Sequence, residues 1–247
     1  MSPSVLLFHA ELDCHPSPTK GAEGHDPRNY DTFLNSRPDS LEMSAIELII
    51  ALNEKYPSLR THIVHLSSAP AIPLVKSAKA KGLPLTVETC FHYLCLTASD
   101  IPDGHPEFKC CPPIRSGGNR EELWKALLDG TIDFVVSDHS PSIAELKCLD
   151  SGDIMKAWGG IGGLGLGLSL LWTEARKRGI PMGQVVEWLS LKPARHVGLD
   201  SSKGSIEVGK DADIVVFDPS VPFEVRSYFY AASYLVPIEH IRLPKNP

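Results

Sequence analysis

The sequence predicts an α/β fold built on parallel strands, and three observations carry that expectation. Short β-branched and aromatic runs recur along the chain, each followed by a helical pattern, and three of the runs close on His9, His65 and Asp138. In Asp133-Phe134-Val135-Val136-Ser137-Asp138-His139-Ser140-Pro141 an apolar run gives way at once to polar residues and a chain-breaking Ser-Pro, which is how a buried parallel strand ends. Asp138 then stands at a strand's carboxyl end, the face on which α/β barrels carry their chemistry. An aspartate capping an ordinary strand-to-helix turn gives the same local pattern.

The elements follow in order. Val5–His9 is the first strand, and the polar, Pro-, Gly- and His-rich stretch Leu12–Asp39 reads as a long loop, with His15 and His25 expected in solvent. From Ser40, the residues Leu41, Ala45, Leu48, Ile49 and Leu52 recur at helical spacing until Pro57. The second strand is Thr61–His65. Ser68 is expected to cap a helix with Pro70 in its first turn, Ile72, Val75 and Ala78 on one face, and Gly82 as its stop. The third strand, Pro84–Thr89, completes a β-α-β unit, and alternation turns Glu88 away from the rim. Asn119 and Glu122 read as a capping box opening a helix with Leu123, Trp124, Leu127 and Leu128 on its buried side, ended by Gly130. The fourth strand, Asp133–Ser137, follows. Further helices are expected over about Leu166–Arg178 and Gln184–Leu191, and Lys203–Asp218 reads as two short strands of a second, small β domain. The expected layout is a partial barrel over 1–200, part of a small β-sandwich over 201–220 and a divergent tail over 221–247.

Composition narrows the function. With 247 residues, 43% of them hydrophobic and 22% charged, the chain has the material of a soluble globular protein. A net charge of −6 without a Lys/Arg block argues against nucleic acid or an anionic membrane as partner. No apolar run reaches membrane-spanning length, and the opening Met-Ser-Pro-Ser has no basic leader region. A cytoplasmic, reducing compartment is the default expectation, with mitochondria and peroxisomes also compatible. The six cysteines, Cys14, Cys90, Cys95, Cys110, Cys111 and Cys148, lack disulfide spacing.

Two imidazoles and a carboxylate on one rim are ligand types of a hydrolytic zinc site, and separate strands can deliver them whatever their spacing in sequence. A single strand-end histidine is more often structural; three such endings together favour a site. A rival zinc set can be drawn from Cys90, His92, Cys95 and Cys110-Cys111, although no C-x₂-C pair is present. In Lys109-Cys110-Cys111-Pro112-Pro113-Ile114-Arg115 the prolines stiffen a loop and leave the Cys111 backbone groups for a ligand. Gly159, Gly160, Gly162 and Gly163 beside Trp158 allow backbone to approach a small molecule closely, or else lead into a glycine-rich helix.

Val136-Ser-Asp-His-Ser-Pro141, the strand-end His9 and His65, Cys111-Pro-Pro-Ile-Arg115, Pro193-Ala194 through Gly198-Leu199, and Gly204-Ser-Ile with Gly209-Lys-Asp-Ala-Asp213 resemble the cyclic-amidohydrolase branch of the amidohydrolase superfamily. Met155-Lys-Ala-Trp-Gly-Gly-Ile161 is similar specifically to the allantoinases, rather than to the hydantoinases or dihydroorotases. The resemblance implies that the four strands are strands five to eight of a distorted (β/α)₈ barrel. It implies two divalent ions, zinc above all, bridging a hydroxide, with His9 and His65 on one ion and Asp138 on the other. Asp138 would move the proton, and Cys111 and Gly159 would orient a cyclic ureide that opens to allantoate in purine catabolism. The family's strand-one His-x-His and bridging carboxylated lysine have no counterpart in this sequence. The expectation is therefore a truncated form, weakly active or inactive alone, as a possible homo-oligomer. A non-catalytic half-barrel and another cyclic amidohydrolase are the alternatives.

Overall fold

A computed structural model describes residues 4–13 and 26–221. Strands β1 (Val5–Phe8), β2 (Arg60–Ile63), β3 (Leu85–Cys90) and β4 (Phe134–Val136) lie in the order β1-β2-β3-β4, every pairing parallel. Sequential order is what repeated right-handed β-α-β units produce, since each helix crosses one face and returns the chain beside the strand it left. β1, β2 and β4 are shorter than the sequence suggests, and β3 keeps its length one residue further along. Pairing stops at Phe8, Ile63 and Val136, so His9, His65 and Asp138 stand just beyond the ladder.

One face of the sheet is apolar. Ile63, Leu85, Val87 and Val135 are buried on it, as are Ala45, Ile46 and Ile49 of α2 (Asp39–Lys55), Val75 and Ala78 of α3 (Ile72–Ala80), and Leu123 and Leu127 of α5 (Gly117–Leu128). The opposite face is partly polar. His62 stacks on Phe134 with ring centroids 5.3 Å apart and meets His196 at 4.3 Å. Glu88 lies 3.1 Å from His62 as an ion-pair contact that lacks hydrogen-bond alignment, which fits the expectation that it turns from the rim.

Several local expectations are corrected. The stretch 12–39 is not all loop, because α1 (Tyr30–Ser36) forms there, capped by Asn29 and anchored by buried Tyr30 and Phe33. The helix assigned to Asn119 starts at Gly117 with Ser116 as its cap; the Asn119 side chain instead accepts from Ala69 N–H and donates to Ser67 C=O. Ser68 leads into a 3₁₀ turn and donates to Asp39 instead of capping. After α4 (Phe91–Cys95) and α6 (Gly167–Lys177), helix α7 (Met182–Val186) does not end at Leu191. It passes through a π-turn, Glu187–Leu191, into α8 (Lys192–His196), and that widened turn accommodates the missing N–H of Pro193.

The segment Lys203–Asp218 contains no strand, and Ile206, Val208 and Val216 are exposed; among the described residues no strand lies beside the segment to pair with its backbone. His15, His25 and nearly all of the 221–247 tail lie outside the described residues.

The edge strand β1 carries two wet leucines, Leu6 at 47% and Leu7 at 63% exposure. An exposed apolar edge templates pairing with another chain. Leu7→Lys is therefore expected to shift the purified chain toward monomer and raise its soluble fraction, as read by light scattering after size exclusion; an unchanged oligomer distribution would show that β1 does not drive association.

Candidate functional site

The strand ends converge through strained backbone. Ala10, His65 and Asp138 are non-glycine residues with φ of 54°, 44° and 44°, each just past β1, β2 or β4. Left-handed backbone costs an ordinary residue about 1 kcal/mol or more, so it persists only where surrounding contacts impose it.

His9 and His65 face each other. Nδ1 of His9 lies 2.9 Å from Nε2 of His65, with the rings edge to face. The other His9 nitrogen meets Glu11 at 2.7 Å, and Glu11 also pairs with Arg37. Burial pushes the Glu11 carboxyl up, but His9 and Arg37 together hold it below its ordinary value. His65 is buried, and its Nδ1 is sealed from solvent without a hydrogen-bond partner. Burial lowers its pKa against the pull of nearby Asp138, and His9 lowers it further.

Three ligand-bearing residues thus gather at one rim, and two more join them. Cys90, His92 and Asp138 each place a possible donor atom within 4.8 Å of the other two. Parallel register explains the meeting, since Cys90 is paired with Val136, two residues before Asp138, and His92 lies in the first turn of the helix that follows β3. The rival zinc set is not assembled as drawn: Cys90 and His92 group with Asp138, not with Cys95, Cys110 or Cys111. The clue lay in the sequence, a strand ending in Cys-x-His. Glu11 and Arg37 gave no comparable signal.

The residue types fit a divalent cation. The facing nitrogens of His9 and His65, in hydrogen-bond contact at 2.9 Å, would need to part by about 0.4 Å to reach the separation of about 3.3 Å that two imidazoles take around one zinc ion.

Cys111 and Gly159 are also brought together. A Cβ added at Gly159 would lie 2.9 Å from the Cys111 sulfur and 3.9 Å from its backbone nitrogen, so a side chain there would push the thiol aside. Gly160 N–H donates to Lys109 C=O at 2.9 Å, and its own Cβ would collide with Ser140. Three hydroxyls hold the 109–115 loop from behind: Tyr93 donates to Pro112 C=O, Ser67 to Pro113 C=O and Tyr30 to Ile114 C=O, at 2.7, 2.6 and 3.0 Å. The buried Lys147 ammonium donates to the carbonyls of Glu107 and Lys109, and burial lowers its pKa to about 8. Trp158 is half exposed and forms a lip more than a sealed wall.

The buried Glu42 carboxylate fixes the turn after His65. It accepts from Ser67 N–H and Ser68 N–H at 2.9 and 3.1 Å and pairs with Arg115 at 2.9 Å. Removing it would strand a buried guanidinium. Glu42→Ala is expected to cost about 3–5 kcal/mol in urea unfolding; a loss below about 1 kcal/mol would mean the network is dispensable.

Acid should weaken the fold. Burial lowers the pKa of His65, His92 and His196 below 6.5, that of His92 to about 3. The unfolded chain therefore binds protons first, and stability falls as pH drops through 6.5 toward those lower values. In chelator-treated protein, the unfolding midpoint is expected to drop between pH of about 7 and about 5, less steeply in His92→Gln. Identical slopes in the two proteins would refute a neutral, buried His92.

The comparisons with known proteins follow this geometry. A family model described as "Amidohydrolase family" matches residues 12–241. An allantoinase of Saccharomyces cerevisiae is 50% identical over 220 residues, covering 87% of this chain and 46% of that protein. One from Streptomyces avermitilis is 51% identical, covering 90% of this chain and 48% of that protein. Among solved structures, L-hydantoinase (dihydropyrimidinase) from Arthrobacter aurescens superposes with a TM-score of 0.78 at 29% identity, over 85% of this chain and 47% of that one. Dihydropyrimidinase from Brevibacillus agri NCHU1002 gives 0.78 at 32% identity, over 89% and 49%. The chain spans about half the length of the curated relatives it matches.

Proposed function

The chain belongs to the amidohydrolase family, and from that premise we propose that it carries the second half of an allantoinase-type site, which hydrolyses the ring amide of allantoin to allantoate. In this reading β1 to β4 are the fifth to eighth strands of a (β/α)₈ barrel, and 201–220 belongs to a small β domain. The observation that carries it is the convergence of His9, His65 and Asp138 past three strands of one parallel sheet, with Cys111 against Gly159 beside them. The relatives named allantoinase, about 50% identical, favour this substrate over other cyclic amides.

His9 and His65 would hold one divalent ion, zinc by the donor chemistry, and Asp138 a second. Such ions, when bound, polarise a carbonyl and make water a competent nucleophile near neutral pH. The chain's own residues supply the rest. Asp138 accepts a proton from the attacking water and returns it to the departing ring nitrogen, so the ring C–N bond breaks to a neutral ureido NH2 group and a carboxylate, the second proton of the water leaving to solvent. Glu11, held anionic by Arg37, orients His9 through its second nitrogen, the arrangement that fixes a ligating imidazole. Backbone groups at Cys111 and Gly159 hold the planar ureide, and the three hydroxyls behind the loop keep those groups in place.

Three protein ligands shared between two ions bind weakly, since a catalytic zinc ordinarily has three of its own. A small ureide as substrate and a second copy as partner follow from the same reading. The purified chain, given allantoin, hydantoin, dihydrouracil or dihydroorotate with zinc, manganese or cobalt, is expected to show little or no ring opening. Fused behind the first half of the yeast relative, it is expected to open allantoin preferentially and to lose about 10²–10⁴ of that rate in Asp138→Asn. Full turnover by the isolated chain, or a fusion indifferent to Asp138, would overturn the proposal. A fusion that folds but neither turns over nor binds metal would favour the non-catalytic half-barrel.

A further inference from the structure

A second set of donors lies at the foot of this rim. We propose that Cys90, His92 and Asp138 form a zinc-binding site of mixed sulfur, nitrogen and oxygen character, distinct from the His9–His65 pair and sharing only the carboxylate with the site above. One atom from each residue lies within 4.8 Å of the other two. Donors around a tetrahedral zinc ion sit about 3.3–3.8 Å apart, so closing the set needs movements of about 1 Å or less, within reach of side-chain rotation.

Burial separates this cluster from a chance surface grouping. Cys90 is 0% and His92 3% exposed, whereas Asp138 is only half-buried. Two donors thus sit inside the protein and the third stands at the mouth. Nε2 of His92 is sealed from solvent and has no hydrogen-bond partner among the described residues. An unpaired buried imidazole nitrogen is destabilising, and a cation is a partner that removes the penalty.

Backbone architecture pre-positions all three. Cys90 ends β3, His92 follows in the first turn of α4, and the left-handed Asp138 follows β4, hydrogen-bonded to β3 through the Cys90–Val136 register. Donors on two adjacent rigid elements lose little freedom on closing around an ion.

The donor set selects the metal. Thiolate and imidazole together favour zinc over magnesium, calcium or manganese, which prefer oxygen. Binding requires the thiol to ionise, so the Cys90 S–H bond is replaced by S–Zn and one proton is released to solvent. Three protein ligands leave one position open, as in zinc sites that accept water or a substrate atom. This proposal rests on the cluster's geometry and not on the ring-opening reading.

Titrating the chelator-treated full chain with cobalt(II) as a spectroscopic substitute tests it. The expected result is a thiolate-to-cobalt charge-transfer band that saturates at about one ion per chain and is abolished by added zinc. Cys90→Ser is expected to remove the band, and His92→Gln to weaken zinc binding by at least about tenfold, the loss that even outer-shell changes cause. His9→Gln, His65→Gln and Cys111→Ser are expected to leave the band intact. A band that survives Cys90→Ser, or binding without any band, overturns the proposal. X-ray absorption on the unmutated zinc-loaded chain decides the matter if Cys90→Ser does not fold: one sulfur donor supports the site, and none, or two or more, refutes it. Loss of metal only in the His9 and His65 variants would instead support the ring-opening site alone.

Discussion

A single buried carboxylate sets where the rim stands. Glu42 projects from α2 into the interior, where it meets two backbone N–H groups of the turn after β2 and the guanidinium of Arg115. Burial pushes its carboxyl above the ordinary range even with Arg115 alongside, a measure of how little solvent reaches it. Three parts of the chain far apart in sequence are thereby joined: the helix before β2, the turn that carries His65, and the end of the proline loop. Asn119 adds a second link, accepting from Ala69 and donating to Ser67. These contacts add to the backbone hydrogen bonds of Val64 to Phe8 and Leu66 to Glu88 in holding the left-handed backbone at His65.

The loop 109–115 is organised on the same principle. Its carbonyls are satisfied by hydroxyls from α1, α4 and the turn after β2, so the loop is stiff without any regular structure of its own. Its approach to Gly159 leaves the Cys111 sulfur where a Cβ on that residue would crowd it. The scaffold's polar links hold this backbone rigid from beneath. The buried Lys147 takes part by donating to the Glu107 and Lys109 carbonyls at the loop's start, the second of which also accepts from Gly160 N–H.

Chemistry and stability pull in opposite directions at the rim. His65 and His92 each keep a sealed nitrogen with no hydrogen-bond partner, and Asp138 stands where left-handed backbone must be imposed. A fold selected only for stability would satisfy or remove such groups. All three stand just past the ends of the parallel strands, where the chain leaves the sheet.

Much of this was legible in the residues themselves. The period of the apolar pattern fixed four parallel strands and the helices between them, because alternation and helical spacing leave few other ways to bury Ile63, Val87 and Val135. Strand-end chemistry pointed to His9, His65 and Asp138 for the same local reason. Other features had no local signal. The cap at Ser116 in place of Asn119, the helix inside 12–39 and the missing strands of 203–218 depend on what lies across space from them. Cys90 and His92 read as members of a cysteine set until parallel register laid β3 against β4 and turned them toward Asp138. Periodicity records which side of an element meets the core, and a sequence carries that on its own; which side chains from different elements meet is set by register and packing, and exists only once the chain has folded.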